Sequence, residues 1–429
     1  MEAITRAVEL LQQVLKGNIP DEPGVCTFSV PVERQDESAS LAWLGSQPHY
    51  PQFYWQQRSG RERVAALGAV RQFSSLAQAE AFLHTSAHVP QIRICGLNAF
   101  DPHEGFLFLP RLEWWHRDGA SGLRLNLSSD TSLYDDAQTA MHWLETLQIG
   151  REIPALTLST PSVSHLPEKN AWLALIRHAT EGIARGDMDK VVLARATDLH
   201  YNQPVMATSV MAASRKVNTR CYHFYLAFDA RRAFLGSSPE RLFQRKGAML
   251  RTEALAGTVA SDDDDVRAKA LADWLHHDDK NQRENQWVVD DICRRLAPIA
   301  HDLNVLPSTI LRLRKVQHIQ RRIQAVLKHP TDTQCLVQLQ PTAAVAGLPR
   351  ERARDFIACH EPFARQWYAG SAGYLSLAAA EFCVSLRSAW IEASTVRLYA
   401  GAGIVAGSDP EDEWQEIENK AAGLRTLLA

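Results

Sequence analysis

The stretch Cys221–Ala260, CYHFYLAFDARRAFLGSSPERLFQRKGAMLRTEALAGTVA, decides the fold class. Its apolar and alternating runs have the pattern of β-strands, and they cover 221–228, 233–237, 241–244 and 250–259. Only short turns separate these runs, so that neighbouring strands are expected to pair as antiparallel hairpins. The stretch therefore predicts an antiparallel meander.

Similar strand blocks lie on both sides of this meander, and helices separate them. Strand-like patterns fill most of residues 28–127. Helical periodicity covers 2–16, 134–148, 170–185, 205–216, 263–276, 279–297, 332–339, 350–359 and 409–428. Further strands are predicted over 190–200, 311–326, 368–377, 381–391 and 395–405. Blocks of hairpins separated by helices favour an α+β fold with antiparallel sheets over a doubly wound parallel sheet.

Composition excludes several classes of protein. The 429 residues suffice for two or three domains or one large one. With 46 basic and 49 acidic residues the net charge is −3, which argues against a nucleic-acid-binding protein. No apolar run approaches the roughly 18 residues that span a bilayer, so no membrane association is expected. Seven cysteines without CxxC spacing indicate free thiols and a cytoplasmic location.

Two helices carry carboxylates that could bind a cation. Glu413, Glu416 and Lys420 share one face of the closing helix, directly after the glycine-rich strand end Tyr399–Gly407. Glu284 borders the apolar face of the helix at 279–297. Carboxylates without nearby His or Cys suit a hard ion such as Mg²⁺. Ordinary surface ion pairs, and a glutamate favoured by the helix dipole, explain the same spacings equally well.

Two residues are candidates for acid–base chemistry. Lys190 heads an apolar strand, where burial would favour a neutral amine, although lysines at strand starts are usually solvated. Glu240 lies in a tight turn between strands, which can hold a side chain rigidly but is also a common surface corner. His318, on the alternating strand, is expected to be structural or a minor ligand contact.

Taken together, the motifs resemble those of the chorismate-utilising enzymes, which include the anthranilate, aminodeoxychorismate, salicylate and isochorismate synthases. They are Val191–Arg195, Ser237–Arg241, Ala256–Thr258, Arg283–Asn285, Tyr368–Gly370, Arg387, Ala400–Val405 and Glu413–Glu416. The N-terminal motifs Tyr50–Gln57, Leu97–Pro102 and Leu109–Trp114 resemble the menaquinone-pathway isochorismate synthases of enteric bacteria. The likeness runs nearly end to end.

The resemblance implies one large α+β domain of two antiparallel sheets packed face to face and flanked by helices. Residues 1–150 would form the strand-rich N-terminal half of this sandwich, and residues 165–429 the chorismate-binding catalytic region. The Pro-, Ser- and Thr-rich segment 151–169 would then be a connection within the domain.

The resemblance also implies a reaction: water adds at C2 of chorismate, the double bonds shift, and the C4 hydroxyl leaves. Lys190 would be the base that activates water, and Glu240 the acid that protonates the departing hydroxyl. Glu284 and Glu416 would bind Mg²⁺ on the ring carboxylate, and Glu413 would hold a metal-bound water. The remaining substrate contacts would come from Gly257, Thr258, His318, Tyr368, Arg387, Gly401, Gly403 and Lys420.

Three positions separate this chain from other members of the family. Ala256 stands where aminodeoxychorismate synthases carry a nucleophilic lysine, and Ala344 stands where lyase members usually have threonine. Asn281 occupies a position where some relatives have a further glutamate. The pattern favours a Mg²⁺-dependent isochorismate synthase without a glutaminase subunit. An anthranilate or salicylate synthase-like lyase, and a catalytically inactive chorismate sensor, are the alternatives.

Overall fold

In the computed structural model, which describes residues 2–33 and 35–428, eleven helices surround a large antiparallel β-structure. The helices are α1 (Glu2–Leu15), α2 (Ala39–Gly45), α3 (Leu76–Thr85), α4 (Leu133–Glu145), α5 (Lys169–Ala184), α6 (Ala207–Val217), α7 (Asp265–His277), α8 (Asp279–Leu296), α9 (Asp332–Leu339), α10 (Arg350–His360) and α11 (Pro410–Leu428). None of these helices combines the length and the apolar composition that crossing a bilayer requires.

Twenty strands are present in the same described ranges. The first ten are β1 (Gly24–Pro31), β2 (Gln52–Gln56), β3 (Glu62–Phe73), β4 (Ile94–Asn98), β5 (Gly105–Arg117), β6 (Ala120–Ser129), β7 (Ser162–Leu166), β8 (Lys190–His200), β9 (Tyr222–Ala227) and β10 (Arg232–Ser238). The others are β11 (Arg241–Lys246), β12 (Met249–Ala260), β13 (Ala300–Val305), β14 (Thr309–Arg312), β15 (Val316–Leu327), β16 (Gly347–Leu348), β17 (Ser371–Leu375), β18 (Ala379–Val384), β19 (Ser388–Glu392) and β20 (Thr395–Ile404).

The strands form two layers within one hydrogen-bonded network. The first layer runs β6–β5–β3–β2–β9–β10–β19–β20–β8, and every pairing in it is antiparallel. The second layer runs β4–β17–β18–β11–β12–β15, again antiparallel. The β4–β5 pairing joins the two layers, so the expected pair of sheets is continuous at this edge. The α+β prediction with face-packed antiparallel sheets is confirmed.

Aromatic side chains fill the space between the layers. Trp55 of β2 is fully buried and meets Tyr374 of β17 edge to face, with ring centroids 5.4 Å apart. Phe224 of β9 and Phe382 of β18 belong to the same apolar core. Burying rings from both layers supplies much of the hydrophobic stabilisation that holds the layers together. Strands from the first 150 residues and from the rest of the chain thus share one core.

The structure corrects several predicted elements. The alternating run at 311–326 contains a tight turn, so that β14 and β15 form a hairpin with Arg312 paired to Gln317. The segment expected to be only a connection contains β7, which pairs with β8. Helices α2 and α3, and strand β13, were not predicted because each is short and its apolar residues resemble those of neighbouring strands.

Candidate active site

A cavity opens where the two layers approach α8 and α11. The strands β12, β15 and β20 supply most of one wall, and the two helices supply charged side chains. Most of the residues predicted from the sequence line it: Glu240, Gly257, Thr258, Glu284, His318, Tyr368, Arg387, Gly401, Gly403, Glu416 and Lys420. Residues scattered over 180 positions of sequence are therefore brought together at one cavity.

Glu240 lies in the turn between β10 and β11 and is almost completely buried. Its Oε1 atom has no hydrogen-bond partner among the described residues. Burial, together with the negative charge of Glu253, raises the pKa of Glu240 to about 8. This carboxyl group is therefore protonated at neutral pH and can donate a proton into the cavity.

Lys190 is the first residue of β8, and its side chain is fully buried. Its Nζ atom donates a hydrogen bond to Glu284 Oε1 over 2.9 Å. Gly403 of the adjacent strand makes room for this pair, since a Cβ atom there would lie 3.0 Å from Lys190 Cε and 3.1 Å from Glu284 Oε1. A side chain at position 403 would push the lysine and the glutamate out of place.

The carboxylates on α8 and α11 differ in their charge state. Burial alone would raise the pKa of Glu284, but the charge and hydrogen bond of Lys190 outweigh it and hold that pKa below its ordinary value. Glu416 pairs with Lys420 across 2.6 Å. Glu413, one turn earlier, lies off the cavity surface, and burial together with Glu416 raises its pKa to about 7.

The donor set fits a hard divalent cation. Glu284 and Glu416 both line the cavity, and Glu413 adds a buried oxygen, Oε2, that lacks a hydrogen-bond partner among the described residues. Mg²⁺ is commonly held by one or two carboxylates with waters and substrate completing its shell. No group of three or more His, Cys, Asp or Glu side chains in the described ranges could hold a metal by itself. Substrate and water would have to complete the coordination.

Cationic and aromatic side chains also line the cavity. Arg387 has no carboxylate within 4 Å of its guanidinium in the described part of the chain, and burial lowers its pKa. Lys420 donates to the carbonyl oxygen of Gly401 over 2.9 Å, and Tyr368 stacks on Tyr399 with centroids 5.0 Å apart. A buried cation without an internal counter-ion favours an anionic ligand.

His318 is neutral and its tautomer follows from its neighbours. Burial, with Arg387 and Lys420 nearby, lowers the pKa of His318 well below its ordinary value. Arg387 Nη2 lies 3.1 Å from Nε2, and because a guanidinium can only donate, Nε2 must accept. Nδ1 then carries the proton and donates to Thr258 Oγ1, 3.0 Å away. The hydroxyl proton of Thr258 is left free to point at a ligand.

Some important residues were not predicted from the sequence. Asn285, fully buried on α8, donates to the carbonyl oxygens of Ala256 and Ile319 over 3.1 and 3.0 Å and so fixes the helix against β12 and β15. Trp287, two residues further along the same helix, is 39% exposed. Asn281 accepts a hydrogen bond from the backbone of Thr258 over 3.1 Å, which gives it a role in shaping the wall of the cavity.

Comparison with known proteins agrees with this geometry. The sequence profile of the family described as "Chorismate binding enzyme" matches residues 97–429. The isochorismate synthase MenF of Escherichia coli K12 is 58% identical over 428 residues, covering 100% of this chain and 99% of that protein. The chain belongs to the family of chorismate-binding enzymes.

One further relative and a solved structure extend the comparison. The isochorismate synthase MenF of Pasteurella multocida is 40% identical over 394 residues and covers 90% of each chain. A solved structure of MenF, the menaquinone-specific isochorismate synthase from Escherichia coli, superposes with a TM-score of 0.97 over the full length of both chains at 58% identity. The chorismate-binding family resemblance seen in the motifs is thereby confirmed.

Proposed function

We propose that this chain is an isochorismate synthase, an isomerase that interconverts chorismate and isochorismate for menaquinone biosynthesis. Full-length similarity to enzymes of that name supports the assignment. The structural observation that carries it is that one site contains both a protonated carboxyl group and an amine. Glu240 holds a proton at neutral pH, and Lys190 presents a buried amine. Moving a hydroxyl group around a ring requires such an acid and such a base.

Each proton has a place in this reaction. Lys190, which is fully buried, is the proposed base and takes a proton from water as the water oxygen bonds to C2. The ring double bonds shift, the C4–oxygen bond breaks, and Glu240 gives its proton to the departing oxygen, which leaves as water. One water enters and one leaves, so that substrate and product are isomers. Lys190 ends protonated and Glu240 ionised, ready for the reverse direction.

We propose Mg²⁺ as the cofactor, held by Glu284 and Glu416, with Glu413 binding a metal-bound water. When bound, the ion would supply positive charge to the ring carboxylate of the substrate. The carboxylates of Glu284 and Glu416 at the cavity, and the unpartnered Oε2 of Glu413 beside them, support this assignment. Lys190 and Lys420 now neutralise the two carboxylates and would be released as the ion takes their place.

The cationic side chains of the cavity would hold the carboxylates of the substrate. Arg387 offers a planar fork that can bind a carboxylate with two hydrogen bonds. Lys420, Tyr368, Thr258 and His318 surround it, and the backbone at Gly257, Gly401 and Gly403 leaves space for close approach. Each of the seven cysteines is a free thiol, which supports a reducing, cytoplasmic setting.

The side chains at two positions argue against the other reactions of the family. Ala256 and Ala344 both line the cavity. Neither offers a nucleophilic amine or a hydroxyl group, which disfavours a covalent enzyme adduct and the elimination of pyruvate. A non-catalytic sensor is disfavoured because both proposed positions carry suitable side chains: Glu240 lines the cavity, and Lys190 contacts Glu284, which also lines it.

Product analysis tests the assignment. Purified protein is incubated with chorismate and Mg²⁺, with and without ammonium, and the products are separated by chromatography. We expect isochorismate in both cases, and none when EDTA removes the metal. Anthranilate that appears only with ammonium, or salicylate with released pyruvate, would show a lyase instead. Calorimetric binding of chorismate without any product would show a sensor.

A further inference from the structure

The hairpin of β2 and β3, in the N-terminal half of the chain, contacts the turn that contains Glu240. Arg58 lies in the turn between β2 and β3, outside the residues 97–429 that match the family. Its guanidinium binds both carboxylate oxygens of Glu253, over 2.6 and 2.7 Å. It also donates to the carbonyl oxygen of Pro239 over 2.9 Å. Arg58 therefore contacts the residue that directly precedes Glu240.

Glu253 binds the residue that directly follows Glu240, whereas Arg58 binds the residue that directly precedes it. The carboxylate of Glu253 is fully buried on β12 and accepts a hydrogen bond from the backbone N–H of Arg241 over 2.8 Å. Gln320 of β15 donates a further bond over 2.9 Å. The ion pair thus holds the carbonyl group before Glu240 and the N–H group after it. The Glu240 side chain, whose Oε1 lacks a partner of its own, depends on its backbone for its direction.

The charges of the pair also act on Glu240 in opposite directions. The negative charge of Glu253 raises the pKa of Glu240, and the positive charge of Arg58 lowers it. Arg58, in turn, keeps the pKa of Glu253 below its ordinary value despite complete burial. The two members of the pair therefore oppose each other in their effect on the pKa of Glu240, and the effect of Glu253 is the larger.

We infer that Arg58 and Glu253 are positioning residues for the isomerisation: a buried ion pair, completed by the N-terminal hairpin, fixes the turn that aims Glu240 into the cavity. This inference rests on the proposed function for its catalytic consequence. It assigns the N-terminal half a direct part in the active site. Neither residue touches the cavity, so the role is exerted through Glu240.

Three variants test the two parts of this role. Glu253→Gln leaves the cation of Arg58 unbalanced, so the pKa of Glu240 should fall and the alkaline limb of the pH–kcat profile should move to lower pH. Arg58→Lys keeps the charge but loses the fork, so kcat should fall by about tenfold to 10²-fold with little movement of the limb. The double variant Arg58→Met/Glu253→Gln removes both charges and should return the limb towards its wild-type position, while kcat stays low.

The matched control is Arg71→Met on β3. Arg71 makes a two-pronged contact with Asp130 at the surface, away from the cavity, and its loss should leave both kcat and the limb unchanged. Thermal unfolding of every variant checks that it folds. If a single variant fails to fold, the double variant remains available, because it removes both charges of the pair and leaves neither of them buried without a partner. Wild-type kcat in Arg58→Lys, or an unmoved limb in Glu253→Gln, would overturn the inference.

A second readout separates this inference from the proposed function. The Glu240 carboxyl can be titrated by carbon-13 NMR in glutamate-labelled protein, with Glu240→Gln for assignment. Its pKa should fall in Glu253→Gln and return in the double variant whether or not the protein turns chorismate over. Absence of isochorismate from the wild-type protein would defeat the function alone, while an unmoved carbon-13 titration would defeat the positioning role.

Discussion

Two buried glutamates in this molecule experience opposite environments. Glu113 of β5 and Glu240 are 0% and 2% exposed, so burial does not distinguish them. Glu113 accepts hydrogen bonds from Arg93 over 2.6 Å and from Arg124 over 2.9 Å. Burial would raise its pKa, but these two arginines outweigh it and the pKa is lowered. For Glu240, burial prevails and raises the pKa to about 8.

The difference lies in the partners that each carboxyl group is given. Both carboxylate oxygens of Glu113 are paired with arginines, and Arg93, which directly precedes β4, also binds Glu62 of β3 over 2.7 Å. At the cavity, Glu240 and Glu413 each retain a buried oxygen without a partner among the described residues. A carboxylate whose two oxygens are both paired with cations stabilises the fold, whereas one with an unpartnered oxygen keeps a proton or awaits a ligand. The following substitutions test this distinction.

The largest effect is expected from Lys190→Ala. Without the amine there is no base for water, so kcat for isochorismate formation should fall by about 10³-fold or more. Circular dichroism and a chorismate-binding measurement should show that the variant folds and binds. Lys169→Ala, at an exposed ion pair with Glu411, is the control and should retain activity. Near-wild-type kcat in Lys190→Ala would remove the base assignment.

The reverse pattern is expected from Glu113→Gln. Loss of the carboxylate leaves the charge of Arg124 without its counter-ion and leaves Arg93 with Glu62 alone, which should lower the free energy of unfolding by about 3–5 kcal/mol. Activity per folded molecule should not change, because Glu113 lies outside the cavity. Urea denaturation and steady-state kinetics on the same sample measure both quantities. A loss of kcat at unchanged stability would contradict the comparison.

A smaller effect is expected at the proposed metal site. Glu416→Ala should raise the Mg²⁺ concentration for half-maximal activity by about 10- to 100-fold, because one ligand is lost while the other remains. The adjacent Gln415, exposed on the same helix, supplies the control Gln415→Ala. Titration of Mg²⁺ at saturating chorismate compares them. An unchanged titration in Glu416→Ala would exclude it as a ligand.

The sequence predicts the elements better than it predicts their partners. The strand expected at 190–200 is observed as Lys190–His200, and the helix at 332–339 as Asp332–Leu339, because apolar periodicity and local breakers mark them. The hairpin of β14 and β15 was missed because its turn interrupts neither the charge nor the alternation. The α+β class follows from such patterns, but the face-to-face packing came from the family resemblance.

The candidate active site shows more clearly that the sequence does not predict which distant residues contact each other. The spacing of Glu416 and Lys420 predicts a shared helix face, and the structure pairs them. Arg58 and Glu253 are 195 residues apart, and no local pattern connects them. Asn285 was recognised only as part of the motif Arg283–Asn285, because the local pattern does not show the three carbonyl groups of the sheet that compensate its burial. Contacts that depend on distant partners require the folded structure.

The smallest expected effect, taken per pH unit, is on the free energy of unfolding, and its pH dependence distinguishes Glu240 from Glu113 most directly. Glu240 has a raised pKa in the fold, so between about pH 4.5 and 8 the folded state holds a proton that the unfolded state has lost. Its contribution to the free energy of unfolding therefore declines as pH rises, by up to about 1.4 kcal/mol per pH unit, and Glu240→Gln should abolish this decline. Glu113 has a lowered pKa, so its stabilisation is complete above about pH 4.5 and is lost below it. Urea denaturation from pH 5 to pH 9 should thus show that the stability of Glu240→Gln rises relative to that of the wild-type protein up to pH 8, while the deficit of Glu113→Gln stays constant over the whole range. Parallel curves for wild type and Glu240→Gln would mean that Glu240 is ionised in the fold and cannot serve as the acid.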